Sequence, residues 1–176
     1  YSILKYGSVY GIRSNESNEP TDFDSIMASD EGLKPIVNDL LAVGLTLWVG
    51  DGYSGKSSIA YQIIEAVSNG AEFAGQFPTT KAHTMIIQLD EPKANAKQKW
   101  RRMQYKPNQE NFKIIWNFHP LMIPELERDI VKNNTKVLVI DSLLRLVDGI
   151  QDICSAEMGL FIYRLNNLAS KHNISI

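Results

Sequence analysis
The sequence predicts an α/β fold in which a mainly parallel sheet is covered on both faces by helices. Two observations predict the layering. Short apolar and β-branched runs alternate with helical stripes from Leu45 onward, and parallel strands need helical crossovers of this kind. Val137-Leu138-Val139-Ile140 is apolar throughout, as a strand buried on both faces must be. A third observation predicts the edge where chemistry collects. Gly50-Asp51-Gly52-Tyr53-Ser54-Gly55-Lys56-Ser57 joins the first strand-like run to the first helical stripe, the context a phosphate-binding loop requires.

Residues 1–22 lack apolar periodicity, and Ser14 to Asp22 is polar and turn-rich, so residues 1–30 read as an arm or linker and 31–176 as the core. Leu45-Thr46-Leu47-Trp48-Val49 reads as a strand ended by Gly50. Lys56 to Asn69 reads as a helix with Ile59, Ile63, Ile64 and Val67 as its apolar stripe and Gly70 as its stop. A second strand covers 84–89, and a helix covers 93–103 with Ala96, Trp100 and Met103 on one side. A third strand covers 112–116. Pro124 suits the first turn of a helix reaching Lys132, with Leu126 and Ile130 one turn apart. A fourth strand covers 137–140. The longest helix covers 156–172, with Met158, Phe161, Leu165 and Leu168 inward. The chain starts at Tyr1 without an initiator Met, and Asn173-Ile174-Ser175-Ile176 reads as a strand just beginning, so the core is expected to be incomplete on its C-terminal side.

The chain has 176 residues, 44% apolar, with 18 Lys and Arg against 20 Asp and Glu and a net charge of −2. Ordinary apolar content and small net charge exclude disorder as the main state. Cys154 is the sole cysteine, which excludes a disulfide scaffold. The longest apolar stretch, Leu40 to Val49, is about half the ~20 residues a membrane span needs. A reduced, cytoplasmic globular domain with no membrane partner is the expectation.

The loop matches G-x-x-x-x-G-K-[ST] at every fixed position. Glycines let successive N–H groups turn inward toward phosphate oxygens, and the following helix adds its positive end. Gly50, Asp51, Gly52, Tyr53, Ser54, Gly55, Lys56, Ser57 and Ser58 are therefore the candidate nucleotide-binding residues. Lys56 would reach the terminal phosphates of ATP, the substrate, and Ser57 would ligate Mg²⁺, the expected cofactor. Tyr53 is bulky for such a loop and is expected to point outward. Asp141 follows the fourth strand at its carboxyl end, where ligands gather in a parallel sheet, and is the second metal-side candidate. Asp90 and Glu91 end the second strand. Either could activate water, provided that strand lies next to the loop-bearing strand or one further. Acids there also favour the start of the next helix.

The loop, the acidic pair and Ile140-Asp141-Ser142-Leu143 together resemble the RecA-like P-loop ATPases, in particular the plasmid-type hexameric replicative helicases. The resemblance runs from about Pro35 to Ile176, including the Gly44-Leu45-Thr46-Leu47 lead-in and the turn from Glu72-Phe73 to Phe77-Pro78. It implies a RecA-like sheet and a catalytic base at Asp90, where relatives usually carry Glu, with Glu91 beside it. It further implies a ring of identical subunits, ATP between them, and single-stranded DNA in the channel. The sensor residue and arginine finger of that family would lie after Ile176.

Lys93, Lys97, Lys99, Arg101, Arg102 and Lys106 form the one basic concentration, which reads either as a solvated or subunit-facing helix or as a phosphate contact. In the loop Val147 to Asp152, Asp148 and Asp152 would repel phosphate and leave only Arg145 for nucleic acid. His83, His119 and His172 lack ligand spacing and read as structural or surface residues, and Cys154 as a small buried one. The expected function is Mg-ATP hydrolysis coupled to DNA unwinding or translocation in replication. A recombination or repair ATPase, and a slowly hydrolysing ATP-dependent switch, are the alternatives.

Overall fold
The computed structural model describes residues 22–28, 35–38, 40–147 and 156–176. The chain divides into two compact units, 1–33 and 34–176. Asp148, Asp152, Cys154 and most of the expected arm lie outside the described residues. In the first unit a short helix, α1 (Phe23–Ala28), follows Asp22. The Asp22 carboxylate accepts from the Ser25 N–H at 2.9 Å and from its hydroxyl at 2.8 Å, which holds the acid below its ordinary range.

The second unit opens with an antiparallel pair, β1 (Pro35–Val37) and β2 (Leu41–Ala42). There follow α2 (Lys56–Asn69), β3 (His83–Gln88), α3 (Lys93–Met103), β4 (Phe112–Ile115), α4 (Ile123–Asn133), β5 (Thr135–Asp141) and α5 (Ala156–His172). The main sheet has the order β4-β3-β5, and both pairings are parallel. Ser175 extends it by bridging in parallel to Val137 on one side and to Gly44 on the other. Thr46 N–H then donates to the Ile176 carbonyl at 2.8 Å.

Alternation along the buried strands sets the layers. Met85, Ile87 and Leu138 share a core with Leu126 and Ile130 of α4 and Phe161, Leu165 and Leu168 of α5. On the opposite face, Val137 packs with Ile63, Ala66 and Val67 of α2. Ile86 packs there with Tyr61 and Ile64, joined by Trp100 and Met103 of α3. This is the doubly covered parallel sheet that the alternation of runs predicts. The α3 and α5 boundaries coincide with those read from the sequence. Gly70 ends α2 at φ 71°, where its N–H returns to the Ala66 and Val67 carbonyls and where a Cβ would lie 2.8 Å from Lys81 Cβ.

Two expectations are corrected. The stretch 45–49 is not a continuous strand: among the described residues ladder contacts reach only Gly44 and Thr46, and Leu47, Trp48 and Val49 are exposed. A strand exists only where a partner supplies hydrogen bonds, and the partner here is the brief segment 174–176. Ile59, placed in the buried stripe of α2, is also exposed, because the first turn precedes the residues that pack on the sheet. Among the described residues no helix is long and apolar enough to cross a membrane.

Candidate nucleotide site
Every strand of the main sheet runs the same way, so the loop after residue 49 and the ends of β3 and β5 share one edge. At that edge α2 begins on Gly55, whose φ of 88° is open to glycine and strained for other residues. No side chain caps this helix start. The first-turn amides have no partner within a helix, so the Gly55–Ser58 backbone presents N–H groups of the kind that bind phosphate oxygens.

Lys56 turns back over the loop. Its Nζ donates to the carbonyls of Gly50 and Asp51 at 2.7 Å each and to Ser54 Oγ at 3.0 Å. The ammonium therefore shapes the loop as well as offering charge to a ligand. Tyr53 stands fully exposed at φ 62°, a left-handed conformation that is costly for a residue with a Cβ. Its ring faces solvent and leaves the inner surface of the loop to backbone groups. Gly52 and Asp51 are also exposed, whereas Ser57 and Ser58 are half-buried in the first turn.

Across the sheet, Gln88 is in register with Asp141. Its Nε2 donates to Asp141 Oδ2 at 3.2 Å and to the Tyr61 hydroxyl, while its Oε1 accepts from the Asp90 N–H at 3.2 Å. One fully buried amide thus joins α2, β5 and the end of β3. The peptide N–H groups of Leu89 and Asp90 also donate to the Asp141 carbonyl, at 2.7 and 3.3 Å. Burial, opposed by the Gln88 hydrogen bond and reinforced by the charges of Asp141 and Glu91, pushes the Tyr61 phenol up to about 12. Tyr61 is therefore neutral at physiological pH and serves as a fixed hydrogen-bonding strut.

The two acids after β3 part company. Asp90 reaches the exposed edge, where Arg145 Nε donates to its Oδ1 at 3.0 Å. Glu91 turns toward α3, its Oε1 lying 3.6 Å from Lys99 Nζ and its Oε2 buried without a hydrogen-bond partner. β3 is not next to the loop-bearing segment or one further, as the sequence reading required, because both β5 and 174–176 intervene. Asp90 is brought instead beside Asp141, to whose carbonyl its N–H donates. Arg145, expected to be free for nucleic acid, is committed to Asp90.

Sequence reasoning missed the roles of Gln88 and Tyr61, and it set Lys99 in the basic row without its partner Glu91. The available signal for Gln88 was a polar residue closing an otherwise apolar strand just before two acids. Ser57 and Asp141 supply a hydroxyl and a carboxylate, both oxygen donors suited to a hard divalent cation that keeps waters and phosphate oxygens as its other ligands.

A family model described as an AAA domain matches residues 13–176. The chain belongs to the AAA domain family. Among curated proteins none matches it. An AAA domain is a P-loop, nucleotide-binding ATPase, and the family generally uses ATP with Mg²⁺. The parallel sheet, its helices and the strand-edge loop of this chain are those of such a domain.

Proposed function
We propose that the chain hydrolyses Mg-ATP and couples turnover to unwinding or translocation of DNA in replication, as one subunit of a homo-oligomeric, hexameric ring in the cytoplasm. The observation that carries the catalytic part is the Gln88 amide, which ties the phosphate-loop helix, Asp141 and the Asp90 backbone into one network. The amides of residues 50–58 and Lys56 would hold the ATP phosphates, and Ser57 with Asp141 would hold Mg²⁺. Bound there, the ion would neutralise phosphate charge. Although β3 lies one strand further from the loop than the sequence reading asked, Asp90 sits beside Asp141 at the same sheet edge. It orients and deprotonates the attacking water, since its carboxylate is at the exposed edge whereas that of Glu91 is turned into the protein. Glu91 ties the end of β3 to the middle of α3 through Lys99.

The coupling to DNA rests on the resemblance of the loop, the acidic pair and the Asp141 segment to replicative motors. Turnover measured with and without single-stranded DNA tests it. A motor accelerates on DNA, and an unchanged rate contradicts the coupling. Strand-exchange activity without unwinding would assign the chain to recombination or repair instead. A second reading, a slowly hydrolysing switch, is favoured by one observation: both acids are held by cations, Asp90 by Arg145 and Glu91 by Lys99. Tight ATP binding with slow turnover that ignores DNA would select it.

A further inference from the structure
Residues 92–109 hold six Lys and Arg and no acid, while the rest of the chain carries twelve Lys and Arg against twenty Asp and Glu. The positive charge is therefore local and lies on an otherwise acidic molecule. On α3, Ala96 is buried and Trp100 and Met103 pack into the core, so Lys93, Lys97, Arg101 and Arg102 stand on the exposed side. Lys93, Lys97 and Arg101 succeed one another at one-turn intervals, about 6 Å along the axis. Among the described residues Lys97, Arg101, Arg102 and Lys106 pair with no carboxylate. Arg101 and Arg102 lie in the last turn and complement the helix dipole, but Lys93 stands at the positive end and like charges at one-turn spacing oppose helix formation, so the row as a whole is not accounted for by folding.

We infer that the exposed face of α3 binds the phosphate backbone of nucleic acid. Four of the six cations are Lys, a residue depleted from protein–protein interfaces, which favours a polyphosphate over a neighbouring subunit as the occupant. Half-buried Trp116, with Lys93 Nζ 5.6 Å from its ring centroid, adds an aromatic surface at the end of the row. The inner side of the same helix carries Lys99, which lies over the Tyr61 ring at 5.3 Å and beside Glu91 at 3.6 Å. A strand seated on α3 therefore lies one helix thickness from Glu91.

This inference rests on the DNA-coupled reading, and the test separates the two. Labelled single-stranded and duplex oligonucleotides are titrated with the full chain and with a Lys97→Gln/Arg101→Gln/Arg102→Gln variant across a salt series. For single strands, losing three phosphate contacts should flatten the log–log salt slope by roughly 2 and weaken binding about 100-fold at ~0.1 M salt. ATP affinity and melting should stay as in the parent. Equal weakening for duplex assigns the surface to backbone charge alone, and selective weakening for single strands assigns it to the extended strand. If the parent binds DNA and the variant binds it equally well, the α3 inference fails and the coupling stands. If the parent binds neither oligonucleotide, both fail. A change in sedimentation with DNA affinity intact would make α3 a subunit face and overturn the inference.

Discussion

Arg145 Nε donates to Asp90 Oδ1 at 3.0 Å, fastening the turn after β5 to the acid that follows β3. Both side chains are more than half exposed, so the pair contributes at most about 1 kcal/mol to stability. Its consequence is kinetic, because it occupies one oxygen of the proposed base. Arg145→Ala should leave melting almost unchanged and raise basal ATP turnover several-fold in a phosphate-release assay. Asp90→Asn should lower turnover about 100-fold or more with ATP binding retained. A slower Arg145→Ala enzyme would mean that the guanidinium assists hydrolysis instead of restraining it.

Gln88 is buried with hydrogen bonds to Tyr61, Asp141 and Asp90. Gln88→Met keeps the volume but removes a partner from the buried Tyr61 hydroxyl and from half-buried Asp141, and should cost about 1–3 kcal/mol in denaturant unfolding. Tyr61→Phe removes one of the same bonds. The two changes combined should therefore cost less than the sum of the singles, a coupling that a double-mutant cycle measures directly.

Tyr53 holds a left-handed backbone with no covering contact for its ring. Replacement by Gly relieves roughly 1–2 kcal/mol of steric cost and adds about 0.5–1 kcal/mol of chain entropy. Tyr53→Gly should thus raise stability slightly, by about 0.5–1 kcal/mol, in the unfolding midpoint. Tyr53→Val should lower it, since branching at Cβ worsens the same clash.

These residues show what the sequence could and could not reveal. The helices over 93–103 and 156–172 were legible because apolar stripes and flanking polar residues encode them locally. The loop was legible because its chemistry is fixed by contiguous positions. The pairing of Arg145 with Asp90, of Gln88 with Asp141 and of Lys99 with Glu91 depends on which strand lies beside which, and on which way α3 returns. Such information is tertiary. The break after Thr46 had the same cause, since Leu47-Trp48-Val49 has strand composition but no ladder partner among the described residues.

Glu127 joins α4 to the end of α5, with its Oε1 2.6 Å from His172 Nε2 and 3.0 Å from Lys171 Nζ. The hydrogen bonds from His172 and then Lys171 hold its carboxyl below the ordinary value of 4.5. A lowered folded-state value means stability that is present above the unfolded value and lost as pH falls through the folded one. Glu127→Gln should therefore cost up to about 1 kcal/mol near neutrality. The gap between variant and parent should close as pH drops below 4.5, followed by unfolding at a series of pH values.

The central claim is that ATP phosphates sit against the amides that begin α2, with Lys56 exchanging its bonds to Gly50, Asp51 and Ser54 for phosphate oxygens. Calorimetric titration of the full chain with Mg-ATP, in parallel with Lys56→Ala, tests it most directly. Saturable heat and a raised melting temperature for the parent, with both lost in a variant that still folds, are the predicted result. Equal binding by parent and variant, or no heat with either, would contradict it.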